Sequence, residues 1–202
     1  DRINVSLDTI DRERYAALTR RDRLDHVLQA IAAADAAGLH PIKINAVVMP
    51  GVNEEDIVPL ADYAVHHGAQ LRFIEQMPLG PREKWRREDM VTAADILARL
   101  RTHFSMEPAR EPRGSAPAAL WEVSAPDGTR GKLGIIASVT HPFCGDCDRT
   151  RLTTDGAIRN CLFGNSETPL RDLLRSGASD EDIMEAWAGE MWTKKPGHGI
   201  DD

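Results

Sequence analysis

Residues 1–105 run three times through one alternation, a short run rich in Ile and Val followed by a stretch with apolar residues at helical spacing. INVSL (3–7), PIKINAVVM (41–49) and QLRFIEQM (70–77) read as strands. RLDHVLQAIAAADAAG (23–38), EEDIVPLADYAVHHG (54–68) and VTAADILARLRTHF (91–104) read as helices. Leu24, Val27, Leu28 and Ile31 form the stripe of the first helix, Gly38 and Gly68 stop the first two, and Thr92 with Asp95 hold capping-box positions in the third. Strands joined through helices run parallel, with right-handed crossovers. This restricts the chain to an α/β fold with a parallel sheet.

The strands also distinguish their two faces. Ile3, Val5 and Leu7 alternate with Asn4, Ser6 and Asp8; Ile42, Ile44, Ala46 and Val48 alternate with Lys43, Asn45, Val47 and Met49; Leu71 and Phe73 alternate with Arg72, Ile74 and Gln76. A parallel sheet covered on both sides is apolar on both, and a closed eight-stranded barrel fills its lumen with branched apolar side chains. A polar second face points to an incomplete barrel whose lumen holds a polar ligand, or to an open sheet with one solvated face. Three α/β units do not close a barrel, so the expectation is a part of a larger, incomplete one.

Beyond residue 105 the pattern changes. EPAREPRGSAPA reads as a linker. ALWEVS, Asp127-Gly128 and KLGIIAS read as a strand pair about a tight turn. SDEDIMEAWAGEMWTKK (179–195) reads as a helix capped near Ser179, its acidic cluster being a helix N-terminus and not an acid/base pair. His66 and His67 end a helix, where a cation favours the macrodipole, and Trp121, Trp187 and Trp192 are expected to serve packing. The expected division is 1–105, a partial barrel, and 106–202, a second functional region.

All three cysteines lie in HPFCGDCDRTRLTTDGAIRNCLF (141–163), as Cys144, Cys147 and Cys161. No secretory signal opens the chain, and an odd, small cysteine count does not suit a secreted disulfide scaffold. A reducing cytoplasm is expected, with the thiols serving metal or catalysis. One disulfide plus a free thiol, a zinc site completed by His141, and an iron–sulfur cluster with three protein ligands all fit the spacing. Arg149 and Arg151 follow at once, and planar guanidinium groups beside a metal suit a phosphate or carboxylate. The net charge of −7 argues against nonspecific binding of nucleic acid or anionic membrane. The longest apolar runs, such as INAVVM, are too short to span a bilayer.

PFCGDCDRTRLTTDGAIRNCLF closely resembles the C-terminal cluster motif of the MoaA family, the radical SAM GTP 3′,8-cyclases of molybdenum cofactor biosynthesis. RINVSLDTI, KINAVVMPGVNEEDI and LRFIEQMPLG are similar to the middle of that family's barrel, in the same order. The resemblance implies the C-terminal part of an incomplete, TIM-type α/β barrel followed by an α+β iron–sulfur region. It implies a second 4Fe–4S cluster on Cys144, Cys147 and Cys161, with one iron left open to the guanine of GTP. It places Arg149, Thr150, Arg151 and Lys43 on GTP, and Ser6 and Met77 at S-adenosylmethionine (SAM). The strand pattern adds Arg72 as a catalytic lumen cation beside the substrate.

In that family a CxxxCxxC cluster cleaves SAM to a radical that takes hydrogen from ribose C3′. The carbon radical attacks guanine C8, giving (8S)-3′,8-cyclo-7,8-dihydroguanosine 5′-triphosphate. A cyclic pyranopterin monophosphate synthase acts next. Neither the CxxxCxxC motif nor the family's Gly-Gly end occurs among these residues. The resemblance therefore implies a piece of a longer protein, inactive alone and prone to associate, even to dimerise, along the edge of strand 3–7. A zinc-stabilised binding module with Cys144, Cys147, Cys161 and His141 is the competing expectation.

Overall fold

The computed structural model describes residues 1–79, 85–164 and 166–197. Gly80 of the LRFIEQMPLG stretch and the final residues 198–202 lie outside the described residues. The chain divides into two compact units, Asp1–His141 and Pro142–Asp202.

The first unit is built on a six-stranded sheet. Its strands are β1 (Ile3–Ser6), β2 (Ile42–Val48), β3 (Gln70–Glu75), β4 (Ser105–Pro108), β5 (Ala119–Ser124) and β6 (Arg130–Ile136). They lie in the order β1-β2-β3-β6-β5-β4. The pairs from β1 to β6 are parallel, and β5 and β4 turn back antiparallel. The first three strands thus form the expected α/β array, and β6 extends it after the chain returns through the β5–β6 hairpin. The hairpin turn is the expected Asp127-Gly128, with Gly128 at φ 90°, a left-handed conformation that suits glycine.

The helices are α1 (Arg12–Thr19), α2 (Leu24–Ala36), α3 (Ile57–His66) and α4 (Ala93–Leu100). A single 3-10 turn, Glu54–Asp56, leads into α3. α1 was not evident from periodicity: only Tyr15 is buried, and the helix starts where the Asp11 carboxylate accepts the Arg14 N–H at 2.8 Å. Thr92 and Asp95 form the expected capping box of α4. His66 and His67 turn their Nδ1 atoms to the carbonyls of Asp62 and Tyr63, one helical turn back.

Period-2 alternation decides where the core sits. Ile42, Ile44, Ala46 and Val48 are buried while Lys43, Asn45 and Val47 are half-buried. Leu71 and Phe73 continue the buried row, against Leu60, Ala61 and Ala64 of α3 and Ile96 and Leu100 of α4. Each fully buried large aliphatic or aromatic side chain contributes about 2–3 kcal/mol, so this one face carries most of the unit's hydrophobic stabilisation.

The expected linker begins inside β4, whose Pro108 pairs with Trp121 on β5. SMEP has no strand signature of its own; pairing with the apolar ALWEVS run makes it a strand.

The second unit holds a three-stranded antiparallel sheet in the order β7 (Arg151–Leu152), β8 (Ala157–Arg159), β9 (Thr168–Pro169). Helices α5 (Leu170–Arg175) and α6 (Asp180–Trp192) follow. Ser179 and Asp182 cap α6 with a capping box, as the acidic cluster implied. Trp121 packs on the core of the first unit. Trp187 and Trp192 correct the packing expectation, because Trp192 is 88% exposed and Trp187 39% exposed.

Candidate functional site

The polar face of the first sheet is organised in rows across the strands. Ser6 pairs with Asn45, Asn45 with Arg72, and Arg72 with Gly134. One row back, Asn4 pairs with Lys43 and Lys43 with Gln70. The Arg72 guanidinium donates from Nε to Asn45 Oδ1 at 2.8 Å and from a terminal nitrogen to Asn4 Oδ1 at 2.8 Å. Both acceptors are neutral amides, and among the described residues no carboxylate pairs with Arg72. Burial pulls the Arg72 guanidinium below its usual pKa. Burial, then the charges of Arg72 and Arg2, pull the Lys43 ammonium down as well. A face with uncompensated cations suits an anionic ligand.

Ser6 ends β1 and is exposed; Met77 follows β3 and is half-buried. A surface cleft of about 540 Å³ is lined by Glu107, Pro108, Arg110, Glu111 and Glu122. Its carboxylates disfavour the same ligand.

Glu75 was not among the expected site residues. It ends β3 on the apolar face and is fully buried. Its carboxylate accepts the N–H groups of Ala93 at 2.8 Å, Val139 at 2.8 Å and Thr140 at 2.9 Å, and the Thr140 hydroxyl at 2.5 Å. One side chain therefore anchors the start of α4 and the segment following β6. The signal was legible, since a glutamate in phase with Leu71 and Phe73 needs buried donors.

In the second unit the three thiols are free and half-buried. Cys144 opens a 3-10 turn, Cys144–Asp146, and the Cys147 N–H closes it onto the Cys144 carbonyl at 3.2 Å. Cys161 follows Asn160 at the end of β8. Burial pushes the Cys144 thiol up, and the charges of Cys161 and Cys147 push it further. Cys161 and Cys147 therefore each lie within electrostatic reach of Cys144. Burial alone would raise Cys147 too, but hydrogen bonds from the Arg149 backbone and side chain outweigh it and hold that thiol below its usual value. Arg149 donates to Cys147 Sγ from Nε at 3.3 Å and from a terminal nitrogen at 3.1 Å, with its guanidinium 4.5 Å from the centre of the Phe143 ring. Arg151 begins β7, opposite Arg159, and is half-buried. Thr150, between the two arginines, has a buried hydroxyl with no hydrogen-bond partner among the described residues.

The C-terminal end of α6 secures this loop. Lys194 Nζ donates to the Arg149 carbonyl at 2.5 Å. Asn160 Nδ2 donates to the Glu190 carbonyl at 2.9 Å and to the Thr193 hydroxyl at 2.8 Å. Glu190, itself buried, accepts from the Thr168 hydroxyl at 2.8 Å. The Lys194 charge favours the thiolates of Cys144 and Cys147. Lys194, past the end of a helix, and Asn160 carried no signal in the sequence.

The Cys3His zinc alternative has no support. Among the described residues no group of three or more His, Cys, Asp or Glu side chains converges on a point that would hold one metal ion. His141 is exposed and sits 3.2 Å from the Thr140 hydroxyl through Nδ1. Among the described residues no helix is long and apolar enough to cross a membrane.

Residues 69–200 match the family model described as Molybdenum Cofactor Synthesis C, and residues 1–64 match that of the Radical SAM superfamily. The chain is 73% identical over 205 residues to a GTP 3′,8-cyclase of Corynebacterium glutamicum, covering 100% of this chain and 54% of that protein. It is 58% identical over 201 residues to GTP 3′,8-cyclase 2 of Mycobacterium tuberculosis, covering 99% of this chain and 56% of that protein. The chain spans about half the length of the curated relatives it matches. With β1 and β2 of the polar-faced parallel sheet in the Radical SAM segment, and β3, β6 and the thiol loop in the segment behind it, the chain belongs to the Molybdenum Cofactor Synthesis C family.

Proposed function

We propose that the protein containing this chain is a GTP 3′,8-cyclase acting in the cytoplasm, converting GTP to (8S)-3′,8-cyclo-7,8-dihydroguanosine 5′-triphosphate for molybdenum cofactor synthesis. One observation carries this reading: Arg149 bonded to Cys147 Sγ beside the unpartnered Thr150 hydroxyl, in a loop with two further free thiols. Cys144, Cys147 and Cys161 would hold a 4Fe–4S cluster. The chemistry of the donor set fits: thiolates are the ligands such clusters take, each binding a different iron. When bound, the cluster supplies an open iron for the guanine, and SAM with its own cluster supplies the radical.

The chain's residues bind and orient. Arg149, Thr150 and Arg151 would hold the nucleotide: the guanidinium groups match phosphate oxygens, and the Thr150 hydroxyl gains the partner it lacks. Lys43 and Arg72 would present fixed positive charge to GTP from the polar sheet face, Arg72 touching substrate as a catalytic residue. Ser6 and Met77 would line the SAM site. The division of labour follows residues 1–105 for the radical chemistry and 106–202 for the cluster and substrate. The product would pass to a cyclic pyranopterin monophosphate synthase.

The test uses the full-length protein, reconstituted anaerobically with iron and sulfide. Each of Cys144→Ala, Cys147→Ala and Cys161→Ala should lower bound iron by one cluster's worth, and Arg149→Ala or Arg151→Ala should weaken GTP binding about tenfold with iron content unchanged. Full iron content in all three cysteine variants would overturn the ligand assignment.

A further inference from the structure

Arg72 has a neighbour that no site reading includes. In the row Ser6–Asn45–Arg72–Gly134–Leu120, every position but one carries a side chain on the polar face. Gly134 is buried in the middle of the sheet with β3 on one side and β5 on the other. It has no positive φ to explain it. A Cβ built there would meet Arg72 Cγ at 2.9 Å, Ala118 Cβ at 3.2 Å and Leu120 Cδ2 at 3.2 Å. Space, not backbone conformation, therefore requires glycine. Arg72 Cγ belongs to the stem near the backbone and cannot be displaced as cheaply as the tip of a long side chain.

The geometry accounts for the need. The Arg72 stem leans over Gly134 before its head reaches Asn45 on the opposite neighbour strand and Asn4 beyond it. A methyl group at 134 denies the stem that space, and Leu120 already fills the far side. The stem must then leave the path that carries its head to Asn45 and Asn4, by a shift or by another staggered rotamer. We propose that Gly134 is a positioning residue: its missing side chain is what lets Arg72 lie across the sheet with its guanidinium held by Asn45 and Asn4 as the substrate-facing cation. This rests on the reading of the polar face as a GTP-binding surface.

Additivity separates the proposal from a plain packing role. If Gly134 acts through Arg72, removing Arg72 beyond Cβ makes the identity of residue 134 irrelevant to ligand binding. In the full-length, cluster-loaded protein, Arg72→Ala and Gly134→Ala are each expected to weaken GTP binding, Arg72→Ala by about tenfold and Gly134→Ala by a comparable factor. The double variant should be no weaker than Arg72→Ala alone. Iron content, set by the other unit's thiols, should not change.

Should Gly134→Ala fold poorly, thermal unfolding gives the second readout. Adding Arg72→Ala should then restore the melting temperature, while adding Arg72→Lys, which keeps Cγ, should not. Losses in GTP affinity that multiply in the double variant overturn the inference while leaving the functional reading intact. An Arg72→Ala with wild-type affinity overturns the inference and also removes Arg72 from the proposed GTP site, leaving the Arg149–Arg151 and cysteine assignments standing. Wild-type protein that fails to bind GTP overturns both.

Discussion

Glu75→Gln and Glu75→Ala remove, respectively, the charge and the whole acceptor from the junction of β3, α4 and the segment after β6. Oε1 of Glu75 serves the Ala93 N–H and the Thr140 hydroxyl, and Oε2 serves the N–H groups of Val139 and Thr140. A glutamine amide has two orientations. With its NH2 toward Val139 and Thr140, two backbone donors lose their acceptor. With its NH2 toward Ala93, one does, because the Thr140 hydroxyl can rotate to accept. The second orientation costs less. It orphans one buried N–H, at roughly 1–3 kcal/mol, and weakens the bonds that had been to a charged acceptor by about 1 kcal/mol in total. Relief of the buried charge offsets part of this. Glu75→Gln should therefore cost about 2–3 kcal/mol, and Glu75→Ala, which strands all four donors, about 4–6 kcal/mol. Urea unfolding reports the total as a fall in midpoint at constant slope. Amide exchange reports the distribution: in Glu75→Gln, Ala93 should lose protection before Val139 and Thr140. An alanine variant destabilised by less than about 1 kcal/mol, or a glutamine variant that exposes Val139 and Thr140 but not Ala93, would refute this account.

The His66–Asp127 contact across 2.9 Å predicts a pH window. His66 is raised above 6.5 by its hydrogen bond to Asp127 and then by the Asp62 carbonyl, so its contribution is complete below pH 6.5 and is lost as pH rises through the elevated value. Asp127 is lowered to about 2 by the Thr129 N–H and then by His66, so its contribution is complete above pH 3.8 and is lost as pH falls toward about 2. The β5–β6 turn should thus be held most firmly between these limits. An NMR titration of the His66 ring with a midpoint at or below 6.5 would contradict this, and Asp127→Asn should lower the midpoint. Asn160→Ala removes two hydrogen bonds to the end of α6, at about 1–2 kcal/mol. It should speed iron loss to a chelator from the reconstituted protein, and unchanged release would show that α6 does not steady Cys161.

What the sequence showed and what it hid divide by range of interaction. The alternation of Lys43, Asn45 and Arg72 with a buried row is local, and it alone puts those side chains on one face. The C-x2-C-x13-C spacing is equally local. Glu75 carried a readable signal, an acid in phase with Leu71 and Phe73, but its donors come from residues 93 and 139–140, which no strand pattern names. Gly134 could not be read as clearance for Arg72 without the β3–β6 pairing that sets them side by side. Lys194 reaches the Arg149 carbonyl across 45 residues of chain. SMEP became β4 only through its partner, and RERYAALT became α1 with a single buried side chain.

Pro108 gives β4 a property that matters when many copies share a solution. Backbone N–H groups alternate in direction along a strand, and the Ala109 N–H points inward to the Leu120 carbonyl at 2.9 Å. The nitrogen of Pro108 therefore faces outward, where an added strand would seek a hydrogen and find none. Ser105 and Glu107 are exposed on the same short strand, and an antiparallel copy laid against it would bring like charges together. The missing hydrogen of Pro108 and the charge of Glu107 disfavour strand exchange and fibril growth along this border, and that protection depends on two side chains in a segment of only four residues.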